Sequence, residues 1–406
     1  MDIRPYDPKR DLRAVERIWY ECGWVSSPEE ASYIKDFLGT GRCIVGCLND
    51  TAECQVHTVP GTIRYLDDTL SLSAVTAVTT SRIARKQGFA RVMTAQQLAA
   101  AAADGAQVAA LGMFEQGFYD QVGFGTGSYE NRLRFDPATL LVDVPFRVPS
   151  RLHTDDWPAV HRAMTHRLSH HGAVNLEPPE LMKAELAWTE NHFGLGYYEG
   201  EALTHFIWGE AKDEHGPYEI TAMAYRSVAE LLELLALIRS LGDQVNTFVM
   251  QEPPHVQLQT LLKQPFRTRR NTSNSAFENT QRAVAWWQVR LLDLPACLPH
   301  RSFSGEAFEF NLELEDPAAS FLADTNWQGA GGEFTVRIGS ESSARPGLSA
   351  RLPLLKASVN SFSRLFFGIA SATQLGAGAD FLADPALTRR LDDAFCLPRM
   401  QTSWDF

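Results

Sequence analysis

Ala74 to Ala90 reads AVTAVTTSRIARKQGFA. It opens on a small, β-prone run, Val75 to Thr80, and then turns basic at Arg82, Arg85 and Lys86. Gly88, Phe89 and Ala90 lead straight into a helix-prone segment, Arg91 to Ala103. A strand, a basic loop with a glycine and a helix start are the parts that hold a pyrophosphate. The first N–H groups of a helix have no intrahelical acceptor, and the helix dipole favours negative charge beside them. Gly88 has no side chain to block an approaching phosphate, and Ala90 is nearly as small. An ordinary βα turn with a solvated basic loop has the same pattern, so the context decides between the two.

That context is an α/β unit over residues 1–148. A short strand, Asp2 to Tyr6, precedes an amphipathic helix with Leu12, Val15, Ile18 and Trp19 at helical spacing. Ser27-Pro28-Glu29-Glu30 caps a second helix that runs to about Leu38. Strands follow near Cys43–Cys47, Cys54–Val59 and Gly61–Leu66, with turns at Asn49-Asp50 and Pro60-Gly61. After the central strand, loop and helix, Asp104-Gly105 ends the helix and Val108 to Met113 is a buried strand. Phe118-Tyr119-Asp120-Gln121-Val122-Gly123-Phe124 follows, and Tyr129 to Phe135 is expected to close the unit as a strand.

The order of these elements, with Arg85-Lys86-Gln87-Gly88-Phe89-Ala90, resembles the GCN5-related N-acetyltransferases (GNAT) and their Arg/Gln-x-x-Gly-x-Gly/Ala motif. Phe118 to Phe124 resembles the family's Tyr-x-x-x-Gly-Phe motif, whose tyrosine lies beside the thioester sulfur. The resemblance implies acetyl-CoA as co-substrate. Val78, Thr79 and Thr80 would pair their backbone with the pantetheine arm. Arg85 and Lys86 through Arg91 would hold the pyrophosphate, and Phe114 and Glu115 would flank the cofactor. Tyr119 would protonate the leaving thiolate. A phenol, pKa about 10, can donate to a thiolate whose acid is near 8.5, at modest cost within hydrogen-bond reach.

Residues 149–289 read as a degenerate second copy: caps at Thr154-Asp155-Asp156, a helix from Trp157 to about Ser169, strands near Leu195–Glu199, Ala202–Glu210 and Glu219–Tyr225, a helix from Val228 to Leu241 and a strand at Val245–Met250. Its loop is only Arg226-Ser227, with no glycine cradle. His161, His166, His170 and His171 cluster on or after one helix. No third ligand matches the spacing of His166 and His170, so they read as a polar face, and no metal is expected. Residues 290–406 change character. Phe308, Phe310, Leu312 and Leu314 alternate with polar residues, as do Phe334, Val336 and Ile338, which suits an antiparallel sheet. Helices follow at Val359 to Ala370 and Pro385 to Phe395. This part resembles the sterol carrier protein-like fold.

The fold class is thus α/β (α+β): two tandem GNAT-type folds and a sterol carrier-like domain, the layout of the Eis (enhanced intracellular survival) acetyltransferases. That resemblance spans the chain. It implies that the α-carboxylate of Phe406 is threaded into the first active site as the base, with Asp405 beside it for a cationic substrate. The residues argue in the same direction, because the strand Leu70 to Thr80 carries no acid and the nearest are Asp67 and Asp68. An alkylammonium of pKa about 10 must lose a proton before it attacks. There are departures from the family pattern: Gln87 for a third basic residue, Phe114 for a small polar one, and Thr76-Ala77 where an aromatic lining is common. Trp24, Tyr33 and Phe37 are the candidates for lining the acceptor pocket.

The chain has 406 residues, 45% of them hydrophobic and 21% charged, which suits two or three globular domains. A net charge of −12 argues against nucleic acid as the main partner and is compatible with cationic amines. No signal peptide and no membrane-length apolar run is seen, and the six scattered cysteines suit reduced thiols, so a cytoplasmic protein is expected. The expected activity is N-acetylation of a primary amine (an aminoglycoside, a polyamine or a lysine-bearing peptide) by direct attack. A homo-oligomer, a hexamer of paired trimers, is implied by the resemblance. The rivals are an acyltransferase with a longer acyl donor and a non-catalytic lipid-binding protein.

Overall fold

The structure, a computed structural model, describes residues 1–265, 270–323 and 325–404. Its first elements are β1 (Asp2–Pro5), α1 (Pro8–Cys22), α2 (Pro28–Ala31), α3 (Ile34–Leu38), β2 (Arg42–Leu48), β3 (Thr51–Tyr65) and β4 (Asp68–Thr80). Then come α4 (Phe89–Ala103), β5 (Val108–Gly112), α5 (Gln116–Asp120), β6 (Gly125–Thr126) and β7 (Glu130–Phe135). The middle of the chain forms β8 (Ser150–Arg151), α6 (Trp157–Thr165), β9 (Val174–Leu176), α7 (Glu180–Ala187), β10 (His192–Glu199), β11 (Ala202–Ala211), β12 (Tyr218–Ala224), α8 (Val228–Ser240), β13 (Phe248–Gln251) and β14 (Thr280–Val284). The last part forms β15 (Trp287–Leu291), α9 (Leu294–Cys297), β16 (Phe308–Glu315), β17 (Gly332–Ile338), β18 (Ser343–Pro346) and β19 (Leu354–Ser358). It ends with α10 (Val359–Phe366), α11 (Ala372–Leu375), β20 (Phe381–Leu382) and α12 (Pro385–Ala394).

Two compact units result. One gathers Met1–Ser128, His171–Pro178 and Ala285–Phe406; the other holds Tyr129–His170 and Pro179–Val284. The first unit contains a sheet in the order β1-β2-β3-β4-β5-β15-β6, with β9 also on β3, and a five-stranded sheet, β18-β17-β16-β19-β20. The second unit contains the sheet β14-β7-β13-β12-β11-β10-β8. Read from β1 and from β8, the two large sheets have the same sequence of senses: antiparallel pairs throughout, except one parallel pair, β4–β5 in one and β12–β13 in the other. Each parallel pair is joined through a helix, α4 or α8, as a parallel connection requires.

This arrangement corrects one expectation. The strand at Glu130–Phe135 does not close the first sheet; it pairs with β13 and β14 in the second unit. The matching position in the first sheet is filled by β15, from the far side of the second unit's sequence. β7 and β15 thus occupy equivalent places in exchanged sheets. A short alternating strand does not encode which sheet accepts it; that is decided by long-range pairing.

Other corrections are local. Pro60-Gly61 is not a turn but lies inside the 15-residue β3. The β2 ladder ends at Thr58 and the β9 ladder begins at Gly61, so the missing N–H of Pro60 falls in the gap between two partners. Gly61 allows the close approach there, since a Cβ would sit 2.5 Å from the Asn175 carbonyl oxygen. The expected single helix from Pro28 to Leu38 is two short ones. The C-terminal sheet is mixed rather than purely antiparallel, because β16 pairs β19 in parallel. Its alternation is as expected: Phe308, Phe310, Leu312 and Leu314 are buried, and the first three face Ile338, Val336 and Phe334 across the β16–β17 ladder. No helix among the described residues is long and apolar enough to cross a membrane.

Candidate active site

The site begins with a change in strand pairing. β4 pairs with β3 as far as Thr80, but its parallel ladder to β5 covers only Leu72–Val75. Beyond Val75 the backbone has a strand neighbour on the β3 side alone. The register also shifts there: His57 faces Ala77 and Thr58 faces Val75, so Thr76 is the extra residue of a β-bulge. Bulges bend a strand and increase its twist, which is how two neighbours part. The second sheet has the same irregularity, with Thr221 as the extra residue of β12. Val78, Thr79 and Thr80 therefore present backbone groups to an open edge, as needed to pair with an extended amide chain.

Ser81 to Gly88 then wraps tightly to the start of α4. Ala84 N–H bonds to the Ser81 carbonyl and Gln87 N–H to the Ala84 carbonyl. Lys86 and Gly88 are both left-handed, with φ of 62° and 83°. Gly88 stands at the N-cap with no side-chain cap hydrogen bond, so the first N–H groups of a 15-residue helix are left open. Arg82, Arg85, Lys86 and Gln87 are exposed around them. Phe89 instead turns inward and is buried with Met93 and Val56. Arg91 does not stand free: it donates to the Gln121 side chain at 2.5 Å and lies 4.7 Å over the Phe321 ring.

The second unit shows the opposite arrangement at α8, the helix of its own parallel pair. Ser227 caps α8 with its own hydroxyl, accepting from the Glu230 N–H at 3.3 Å. Glu230 accepts from Arg226 N–H and holds the Arg226 guanidinium, so an acid already occupies the anion position. Of these two helices, α4 has the uncapped, glycine-led N-terminus, with exposed cations around it, which fits a pyrophosphate.

Tyr119 sits on α5, one turn long, with the Glu115 side chain accepting from the Gly117 N–H at its start. The residue is 3% exposed and packed edge-on by Phe118, Phe114 and Phe124. Burial pushes its phenol pKa up, and the neighbouring Cys54 adds to the effect. Cys54, on β3, lies 3.3 Å from the Thr80 hydroxyl, and burial raises its thiol to about 11. It is a thiol, not a thiolate, at neutral pH.

The other face of β3 and β4 carries the acceptor candidates. Trp19 packs edge-on against Trp24 and Phe37, and its indole donates to Gln55 at 2.9 Å. The Thr79 hydroxyl meets the same Gln55 oxygen at 3.0 Å. His57 Nδ1 lies 2.8 Å from the Thr76 hydroxyl, and burial holds its pKa down to about 3, so it is neutral. Phe37 is buried against His57 and Trp19 and supports this wall rather than lining it, whereas Trp24 is 45% exposed. Phe114 is 75% exposed beside Tyr119. His57 and Gln55 are features that sequence reading missed; their signal was a polar residue at every second position of β3, Glu53, Gln55 and His57.

The C-terminal segment runs against the first sheet. The Ser128 hydroxyl donates to the Met400 carbonyl, Gln401 N–H bonds to His171 and Val174 N–H bonds to Thr402. Thr402 and Trp404 are buried. Asp405 and Phe406 lie outside the described residues. Among the described residues no group of three His, Cys, Asp or Glu is placed to hold a metal.

Residues 2–127 match the family described as acetyltransferase (GNAT) domain. The first part of the chain is a GNAT acetyltransferase domain. By this domain the protein is an enzyme, an N-acetyltransferase, and GNAT domains use acetyl-CoA. No curated protein matches the sequence. Solved structures share the fold along the whole chain. Eis1 from Mycobacterium abscessus has a TM-score of 0.77 at 16% identity, covering 100% of both chains. A GCN5-related N-acetyltransferase from Anabaena variabilis has a TM-score of 0.76 at 14% identity, again covering 100% of both. A probable N-acyltransferase from Enterococcus faecalis has a TM-score of 0.75 at 17% identity, covering 99% of this chain and 97% of its own. At these identities the likeness is one of fold.

Proposed function

We propose that the protein is an Eis-like enzyme that moves an acetyl group from acetyl-CoA to a primary amine by direct attack in a ternary complex. One observation carries the reading: the parted β4 edge, the uncapped start of α4 and Tyr119 belong to one domain, while the second copy has closed the same helix start with Ser227 and Glu230. Acetyl-CoA supplies the acetyl thioester. Its pyrophosphate is held by the N–H groups and cations of Lys86 to Arg91, and its pantetheine arm by the backbone of Val78 to Thr80. A backbone N–H of this β4 edge polarises the thioester carbonyl. The amine nitrogen forms its bond to that carbon while the carbon–sulfur bond breaks. Tyr119 gives its proton to the departing sulfur. The proton lost by the amine goes to the α-carboxylate of Phe406, with Asp405 beside it. The protonated Cys54 thiol favours direct attack over an acyl-cysteine.

The 1–148, 149–289 and 290–406 division, a sterol carrier-like character of the last part, and a hexamer belong to the same proposal. The acceptor classes are aminoglycosides, polyamines and lysine-bearing peptides. The half-exposed Trp24 and exposed Phe114 suit an acceptor that brings apolar or ring surface as well as charge.

The test is release of coenzyme A from acetyl-CoA, followed with a thiol reagent, using protein with a native C-terminus and a panel of the three amine classes. Release that depends on one amine supports the reading. Absence of acetyl-CoA binding overturns it in favour of a lipid-binding protein. A further expected result concerns the base: a C-terminal extension should lower kcat about 100-fold at pH 7, the low end of the range for loss of a general base, and the loss should shrink by pH 9–10, where the free amine predominates. A loss independent of pH removes the terminal carboxylate from this role.

A further inference from the structure

α5 is too short to hold its own geometry. A single turn fixes several dihedrals for very few hydrogen bonds, so its stability comes from packing and outside contacts. The Tyr119 carbonyl accepts from the N–H groups of Val122 and Phe124, which folds the chain back on itself just after the phenol. The Asp120 carbonyl already accepts from the Gly123 N–H, whereas those of Val122 and Phe124 need donors from elsewhere.

All three carbonyls accept from residues late in the chain. Asn360, in the first turn of α10, donates its amide to the Asp120 carbonyl at 2.9 Å and to the Phe124 carbonyl at 2.7 Å. Both partners are acceptors, so only the amide nitrogen can face them. Arg290 on β15 donates to the Val122 carbonyl. Gln288, two residues earlier on the same strand, donates to the Asp120 carboxylate at 2.7 Å. Arg290 is fully buried and is fixed in turn by Asp316 at 2.6 Å. Asp316 is itself held by the N–H groups of Ala318 and Ala330. There is no slack around the turn. A Cβ at Gly123 would lie 2.5 Å from the Arg290 guanidinium, and one at Gly125 would lie 2.3 Å from the Asn360 carbonyl oxygen.

We propose that Asn360, Gln288 and Arg290 are positioning residues that aim the Tyr119 phenol. In this inference β15 and α10 are part of the acid's machinery rather than a passive attachment. It rests on Tyr119 being the general acid. A proton donor acts only within hydrogen-bond reach of the atom that receives the proton, so a shift of an ångström in α5 removes most of its effect.

The experiment is a double-mutant cycle between Asn360→Leu and Tyr119→Phe, read as kcat and as KM for acetyl-CoA. Asn360→Leu in the native background should lower kcat about tenfold or more, against roughly 10²-fold for an ångström of misplacement, and leave KM within about twofold. In the Tyr119→Phe background the same change should lower kcat by less than about twofold, because there is no acid left to misplace. An equal loss in both backgrounds makes Asn360 merely structural and overturns the proposal. Asn360→Asp keeps the size, removes the donor and should reproduce the loss; native turnover in that variant also overturns it. Gln288→Met serves the same cycle where Asn360→Leu does not give folded protein. Failure of the acid reading itself is seen separately, as an undiminished kcat in Tyr119→Phe alone.

Discussion

Tyr119→Phe is expected to lower kcat by about 10²- to 10⁴-fold, the usual worth of a general acid, with KM for acetyl-CoA close to that of the native enzyme. The ring remains, so the edge-on packing with Phe114, Phe118 and Phe124 is kept and the fold is little disturbed. Only the proton is lost. The pH behaviour separates this from a packing effect. Burial raises the Tyr119 pKa, so the phenol keeps its proton throughout the assay range and no alkaline limb of kcat below pH about 10 belongs to it. The sign for stability follows. Below the ordinary tyrosine value neither folded nor unfolded chain ionises at this site, and stability does not change with pH on its account. Above it the unfolded chain releases a proton that the folded chain retains, so stability falls as pH rises. Tyr119→Phe should lack that part of the alkaline decline, measured as melting temperature at pH 8 and pH 10.5. Unchanged turnover in the variant would remove Tyr119 from the mechanism.

How much of this was legible depended on whether a feature is local. The strand at Val75–Thr80, the glycine loop and the helix expected from Arg91 all rest on nearest-neighbour propensities and a single glycine, and the structure has them there, with the helix starting slightly earlier, at Phe89. The parting of β4 from β5 was not legible. It depends on Thr76 having no counterpart in β3, and nothing in the string AVTAVTT marks the extra residue. The exchange of β7 and β15 was not legible either, because Glu130–Phe135 and Trp287–Leu291 are both short runs that satisfy either sheet. The same applies to the clamp on α5. Gln288, Arg290 and Asn360 lie far from Tyr119 in sequence, and their polarity has meaning only once β15 is seated beside β5 and β6. The closed state of the second helix start was half legible: the missing glycine was visible, but the reciprocal use of Ser227 and Glu230 was not.

Gly88→Asp is the sharper probe of the donor site, because the fold tolerates it while the ligand does not. Gly88 has φ of 83°, a conformation in which aspartate and asparagine are the least strained replacements for glycine. A Cβ there meets only the Met1 methyl, at 3.2 Å, the far end of a flexible side chain. The helix is thus expected to survive, with a melting temperature within a few degrees of the native protein. The carboxylate, however, stands at the uncapped start of α4 and would place its own charge where the pyrophosphate is proposed to bind. KM for acetyl-CoA should rise about 100-fold, on the order of 3 kcal/mol, and direct binding of coenzyme A should weaken in parallel. Gly88→Asn isolates the charge: it has the same backbone tolerance and nearly the same size, and should raise KM by only about tenfold. If the two variants weaken donor binding equally, sterics rather than anion recognition govern the loop. If neither weakens it, the pyrophosphate is held elsewhere, and the exposed cations Arg85 and Lys86 lose their role as its partners. Kcat at saturating donor should change little in either variant, since Tyr119 is untouched. Donor affinity and proton donation are therefore expected to separate into two sites, each with its own variant and its own kinetic constant.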